Sequence, residues 1–182
     1  MGPEAYRELI LRGQEELNRR DVGRRMARDR RDVICQVLNS DRPLIQTNTY
    51  LRATRPVVSG IQENIGWHRE SFYGPSMEES INFWAPIANV NAENIVRYIA
   101  DSHLIADADI ETVNVEEESV ARFSVGHKIG LLYSPKQIVS GVDLSDPKPF
   151  CVLPGEVVIF AGALIHGAAE NRSDKIRFSL DF

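Results

Sequence analysis

A chain of 182 residues, 43% apolar and 26% charged, is long enough for one hydrophobic core and short for two independent domains. Its formal net charge of -5 argues against a general affinity for nucleic acid or an anionic membrane, and no apolar run approaches a membrane-spanning length. Only Cys35 and Cys151 are present, in no close spacing, and the N-terminus lacks a secretory pattern, so a reducing cytoplasm is the expected compartment.

In chain order, residues from about Pro3 to Leu38 are predicted to be helical. Tyr6, Leu9, Ile10 and Leu17, then Val22, Met26, Val33, Ile34 and Val37, recur at spacings of three and four. Gly23 weakens the middle, so the pattern predicts two helices or one broken helix, packed by the apolar stripe. The arginines from Arg19 to Arg31 are interleaved with Asp21 and Asp29, as on a solvated helix face laced with ion pairs. The single domain therefore divides into a helical lead over 1–40 and a core over 44–182.

After Asp41, Arg42 and Pro43 the chain breaks into short runs rich in β-branched and aromatic residues, punctuated by Gly, Pro, Asn and Asp. Strands are expected over Leu44 to Leu51, Ile61 to Trp67, Ile81 to Ile87, Ile95 to Ile99, Ile138 to Val142, Val157 to Phe160, Leu164 to Ala168 and Ile176 to Phe182. Short strands after a helical lead, without βαβ alternation, favour a mainly β fold, a double-sheet jelly roll with the helices packed on it. From Asp101 to Lys136 the pattern is least clear, and a loop of such length in a compact domain reads as a candidate cover for a site.

The chemistry-bearing residues begin at Gly66-Trp67-His68-Arg69-Glu70. At the end of a strand, alternation projects His68 and Glu70 to one face. His166, on another predicted strand, supplies a third donor, and two histidines with one carboxylate form a facial triad that leaves iron(II) with open positions. Ten residues separate His166 from Arg177, which is followed by Phe178 and Ser179. A turn through Glu170, Asn171, Arg172, Ser173 and Asp174 would return the last strand antiparallel beside the strand of His166. Arg177 and Ser179 then share a face, suited to a carboxylate held in bidentate fashion.

This combination resembles the iron(II)- and 2-oxoglutarate-dependent oxygenases, and within them the phytanoyl-CoA dioxygenase group. Ile99-Ala100-Asp101-Ser102-His103 resembles that group's turn, and Leu153-Pro154-Gly155-Glu156-Val157-Val158-Ile159-Phe160 its turn and strand before the distal histidine. The resemblance covers roughly Leu44 to Phe182 and implies a double-stranded β-helix of the cupin-like kind. It implies iron(II) on His68, Glu70 and His166, with O2 and 2-oxoglutarate as cosubstrates, the far carboxylate of the latter on Arg177 and Ser179. It further implies hydroxylation of an unactivated C–H bond of a small molecule, in secondary-metabolite or sugar tailoring. Glu70 stands where Asp is commoner and lengthens the ligand arm by one methylene. A carboxylate there disfavours a halogenase. The chain also stops on the predicted last strand, without the further structure many members carry.

Around these residues, Asn82 is expected to bond the cosubstrate. Gln46, Asn48 and Tyr50, on one face of the first strand, are expected to point inward to the substrate with Tyr73. Trp67, Phe72 and Trp84 read as core and pocket-wall aromatics, Arg52, Arg69 and Arg97 as surface residues or anion recognisers, and His103 as structural. His127 has no pattern to support it. Two other readings remain: a cupin-type metal-dependent isomerase or hydrolase on the same triad, and a catalytically silent small-molecule binder. Arg177 separates the first of these from an oxygenase.

Overall fold

The computed structural model describes residues 3–46, 48–57, 66–114, 136–168 and 170–182. The helical lead forms three helices, α1 (Pro3–Arg20), α2 (Val22–Asp29) and α3 (Arg31–Leu38), where the apolar pattern predicts one or two. The breaks fall at Asp21, which takes a left-handed conformation at φ 50, and at Arg30. Gly23 is not the breaker. Its N–H donates to Thr49 Oγ1, and a Cβ at this position would stand 2.5 Å from that oxygen, so glycine lets α2 lie directly on the chain entering the sheet. Among the described residues no helix is long and apolar enough to cross a membrane.

Among the described residues nine strands follow: β1 (Tyr50–Thr54), β2 (Ile81–Ala88), β3 (Val96–Tyr98), β4 (Glu111–Asn114), β5 (Lys136–Ser140), β6 (Lys148–Pro149), β7 (Val158–Ala161), β8 (His166–Ala168) and β9 (Arg177–Asp181). They form an antiparallel four-stranded sheet in the order β1-β9-β2-β7, a three-stranded sheet β6-β3-β8, and a hairpin-like pair β4-β5. The first strand starts later than its apolar run predicts. Its partner β9 ends at Asp181, opposite Tyr50, so residues before Tyr50 find no ladder, and Leu44 is fully exposed. β4 and β6 fall outside the expected strands: β4, with Thr112 and Val113, lies in the stretch of unclear pattern, and β6 is only Lys148–Pro149. The expected strand over Ile61 to Trp67 falls largely on residues 61–65, outside the described residues, as do His127 and the acidic run 116–118 of the expected cover.

Alternation gives the large sheet two different faces. Ile81, Phe83 and Phe182 meet Ala27, Ile34, Met26 and Leu38 of the helices. On the opposite face Trp84, Val158 and Phe160 pack with Ile95, Val96, Tyr98, Phe150 and Leu164 of the smaller sheet and its flanks, which seals one end of the space between the sheets. The edge strand β1 is covered by α1: Gln14 accepts from the Leu51 N–H and donates to the Thr49 carbonyl, and Tyr6 donates to the Ala53 carbonyl. These bonds occupy backbone groups that an open sheet edge would leave available for pairing.

Candidate metal centre

His68, Glu70 and His166 converge, with one donor atom from each lying within 4.8 Å of the others. His68 and His166 form an isolated antiparallel bridge, His68 N–H to His166 O at 3.0 Å and the reverse at 2.9 Å, which holds their ring centroids 4.4 Å apart. Each imidazole Nδ1 lies 2.9 Å from the carbonyl two residues earlier in the chain, of Gly66 and Leu164 respectively. A carbonyl can only accept, so each Nδ1 carries the proton and each Nε2 keeps a lone pair for a metal. Glu70 is reached through Arg69 in extended conformation and opens a 3-10 turn, Glu70–Tyr73, instead of continuing a strand. The single extended step keeps His68 and Glu70 on one side, as alternation predicts.

Neighbouring groups fix this arrangement. The Glu70 N–H donates to Gly162 O at 2.8 Å, and Gly162 is itself wedged so tightly that a Cβ would stand 2.2 Å from Ser80 Oγ. Asn82 Nδ2 donates to Glu70 Oε1 at 2.8 Å. One N–H of the Asn82 amide is thus engaged by the carboxylate ligand candidate, a partner that the sequence did not indicate. Glu70 Oε1 lies 3.8 Å from His166 Nε2. Burial, then the nearby His166 and Arg52, hold His68 well below the ordinary imidazole range, against a hydrogen bond at Gly66 that works the other way. A neutral imidazole is the ligand form.

Arg69, between the two ligand candidates, points away from them and is 1% exposed. It donates to the carbonyls of Ile105 and Ser102 and to Asp107 Oδ1, and Ser71 Oγ donates to the same carboxylate oxygen. The surface or anion-recognition readings of Arg69 are thereby replaced: it ties the ligand segment to the loop over 102–107. In that loop Ser102, not the exposed His103, is the buried residue, donating to Ile99 O and accepting from the Ile165 N–H next to His166.

β9 carries Arg177, Ser179 and Asp181 on the face turned to the smaller sheet, and β1 sets Thr54 opposite Arg177 and Arg52 opposite Ser179. The turn before β9 is built on Asn171 and Ser173, with the Asn171 side chain donating to Thr54 O and Lys175 O, but it does not return the chain beside the strand of His166: β9 pairs with β1 and β2, while β8, which holds His166, pairs with β3 in the smaller sheet. Arg177 is 2% exposed and donates to Asn94 O at 2.6 Å and Thr54 Oγ1 at 2.8 Å. Its Nε has no partner, nor has the buried hydroxyl of Ser179, and among the described residues no carboxylate forms an ion pair with the guanidinium. Burial lowers the Arg177 pKa to about 10, with Asp181 opposing that shift and Arg52 adding to it. Thr54 and Asn94 are contacts with no motif signal in the sequence.

Of the residues expected at the substrate, Tyr73 stands edge-on to His68 at 6.0 Å and Tyr50 lies half-buried against Arg52. Gln46 and Asn48 precede the strand and are exposed, so they share no inward strand face; Gln46 donates to the Tyr50 hydroxyl at 3.2 Å. Arg97 is half-buried and bonds Ala92 O.

The family model for phytanoyl-CoA dioxygenase (PhyH) matches residues 7–179. No curated protein sequence matches. Among solved structures, a non-heme monooxygenase, ThoJ in its apo form, is 18% identical over 74% of this chain and 44% of that one, with a TM-score of 0.48. EvdMO1 is 16% identical over 81% of this chain and 29% of its own, at 0.47. SnoK, described as a non-heme alpha ketoglutarate dependent carbocyclase from nogalamycin biosynthesis, is 19% identical over 72% and 45%, at 0.42. The chain thus spans less than half the length of these solved structures.

Proposed function

The chain belongs to the phytanoyl-CoA dioxygenase family of non-haem iron(II)- and 2-oxoglutarate-dependent oxygenases, and from that premise we propose that it hydroxylates an unactivated C–H bond of a small molecule. His68, Glu70 and His166 hold the iron, and Arg177 with Ser179 holds the far carboxylate of 2-oxoglutarate. The four-stranded and three-stranded sheets are the two halves of a double-stranded β-helix, a single oxygenase domain with the metal at the mouth between them.

The observation that carries this reading is the buried Arg177 guanidinium without a carboxylate, beside the unpartnered Ser179 hydroxyl, on the face turned to the smaller sheet, which carries His166. A buried charge without its counterion is costly, and a dicarboxylate cosubstrate removes that cost while reaching the metal with its other end. The donor set is also the right kind, since two neutral imidazoles and one carboxylate leave half of an octahedral ion open.

Iron bound there supplies oxygen activation coupled to decarboxylation of the 2-oxo acid. The protein's own residues supply position. The bridge between His68 and His166 fixes the angle between their rings, the Nδ1 contacts fix the tautomers, Asn82 orients Glu70, and Arg69 anchors the ligand segment from behind. Thr54 and the Asn94 carbonyl hold the guanidinium of Arg177 before any cosubstrate arrives, so little ordering remains to be done on binding.

The test is anaerobic titration of iron(II) and 2-oxoglutarate, following the visible charge-transfer band of a metal-chelated 2-oxo acid. The band is expected with the native chain and absent with His166→Ala. Arg177→Lys is expected to raise the 2-oxoglutarate needed while leaving iron binding intact; an unchanged requirement would overturn the cosubstrate role.

A further inference from the structure

The inner face of the large sheet carries an ion pair that the proposed function does not use. Across the β1-β9 ladder, Tyr50 stands opposite Asp181 and Arg52 opposite Ser179, so all four side chains share the face that bears Arg177. Arg52 Nε donates to Asp181 Oδ2 at 2.5 Å. The Arg52 guanidinium lies over the Tyr50 ring, 5.0 Å from its centroid. On the other side of β9, Asp181 is opposite Trp84, whose side chain closes the inter-sheet core. The second oxygen of this carboxylate, Oδ1, is buried and has no hydrogen-bond partner.

A buried carboxylate oxygen calls for a donor. The pair as a whole decides which kind. An ammonium group placed on Asp181 would also meet the positive Arg52, and a carboxylate or phosphate placed on Arg52 would also meet the negative Asp181. A hydroxyl suits both, because it gives a hydrogen to Asp181 while its oxygen accepts from a neighbouring donor. Tyr50, whose ring lies under the Arg52 guanidinium, and Tyr73, edge-on to His68, put aromatic side chains beside the pair and beside the metal centre.

We propose that Arg52 and Asp181 form the recognition subsite for the molecule to be oxidised, and that this subsite selects a neutral, hydroxyl-bearing group over a carboxylate or an amine. The inference rests on the oxygenase reading for the statement that this molecule is a substrate. It stands on the ion pair and its orphaned oxygen for the kind of group bound.

The experiment uses three probes that differ only at one carbon: methyl glucoside, the corresponding methyl glucuronide, and the 6-amino-6-deoxy glycoside. Saturation-transfer NMR and calorimetry measure their binding to the full chain loaded with zinc(II) and 2-oxoglutarate. The neutral glycoside is expected to bind about tenfold more tightly than either charged probe. Asp181→Asn leaves Arg52 unopposed and is expected to turn the preference to the glucuronide, whereas Arg52→Gln turns it to the amine. The double variant, neutral again, restores the preference for the glycoside. A charged probe preferred by the native chain, no binding by any probe, or an order unchanged in both single variants overturns the proposal. Manganese(II) binding followed by electron paramagnetic resonance in the same variants reads the metal centre separately. Its loss in the native chain would refute the oxygenase site, while a normal metal signal with a wrong probe order refutes only the subsite.

Discussion

The two faces of one sheet are made by alternate residues of the same strands, yet they are built from opposite materials. Toward the helices, Phe83 and Phe182 stack at 5.4 Å and pack on Ala27 and Ile34. Toward the smaller sheet, β1 and β9 present Arg52, Thr54, Arg177, Ser179 and Asp181, of which Arg177 is a buried cation and Arg52 a half-buried one. In the β1–β9 half, a sheet that is apolar toward its covering helices and polar toward the interior inverts the usual arrangement, while β2 and β7 keep Trp84, Val158 and Phe160 on the inner face. Stability has been moved to the outer face so that the inner one can hold polar groups that a fold alone would not keep.

The largest effects should separate the faces cleanly. Removing the candidate ligand His166 by His166→Ala is expected to weaken iron(II) binding by more than about 100-fold, beyond what loss of a ligand's hydrogen-bond partner costs, with the unfolding midpoint of the metal-free chain little changed. Phe83→Ala should do the reverse, costing about 3–5 kcal/mol of stability through the cavity it leaves while the folded fraction binds iron normally. Chemical denaturation and metal titration on the same two variants check both halves; a ligand variant that unfolds the chain would erase the contrast.

Next in size, Arg177→Lys keeps the charge and removes the planar fork. An expected loss of about 100-fold in 2-oxoglutarate affinity, read by the charge-transfer titration, follows from the cost of breaking a buried, hydrogen-bonded charge pair. Asn82→Ala and Arg69→Met come after it. Each removes support behind a ligand candidate, and each should lower iron(II) affinity by about tenfold. Only Arg69→Met should also lower stability, since it leaves the Ser102 and Ile105 carbonyls and Asp107 without their donor.

That difference marks how far the sequence could be read. The convergence of His68, Glu70 and His166 and the shared face of Arg177 and Ser179 were legible because residue type and spacing act together, and the turn through Asn171 and Ser173 announces itself by composition. Arg69 was not. An arginine on a one-residue extended step is turned inward only because carbonyls of a loop more than thirty residues away wait for it, and no local pattern records a partner so distant. Asn82 was placed in the right neighbourhood without its bond to Glu70, since strand alternation gives the face but not which group on that face comes within 2.8 Å. Gln46 and Asn48 were lost for a simpler reason: the β1 ladder begins where β9 ends, and strand length is set by the partner.

The smallest expected effect concerns acid, and it belongs to one face only. Among the residues of the outer cluster, Phe83, Phe182, Ala27 and Ile34, none titrates, whereas His68 on the inner side is held well below its ordinary value of 6.5. Above that value the imidazole is neutral folded or unfolded and contributes nothing to the pH dependence. As pH falls through 6.5 the unfolded chain takes up a proton that the folded chain refuses, so folding is penalised increasingly until the lowered folded pKa is reached. The slope from this one group is at most about 1.4 kcal/mol per pH unit. The metal-free chain should therefore lose more stability than His68→Gln between pH 6.5 and 5, and parallel stability curves for the two chains would show that His68 is not held neutral by its surroundings.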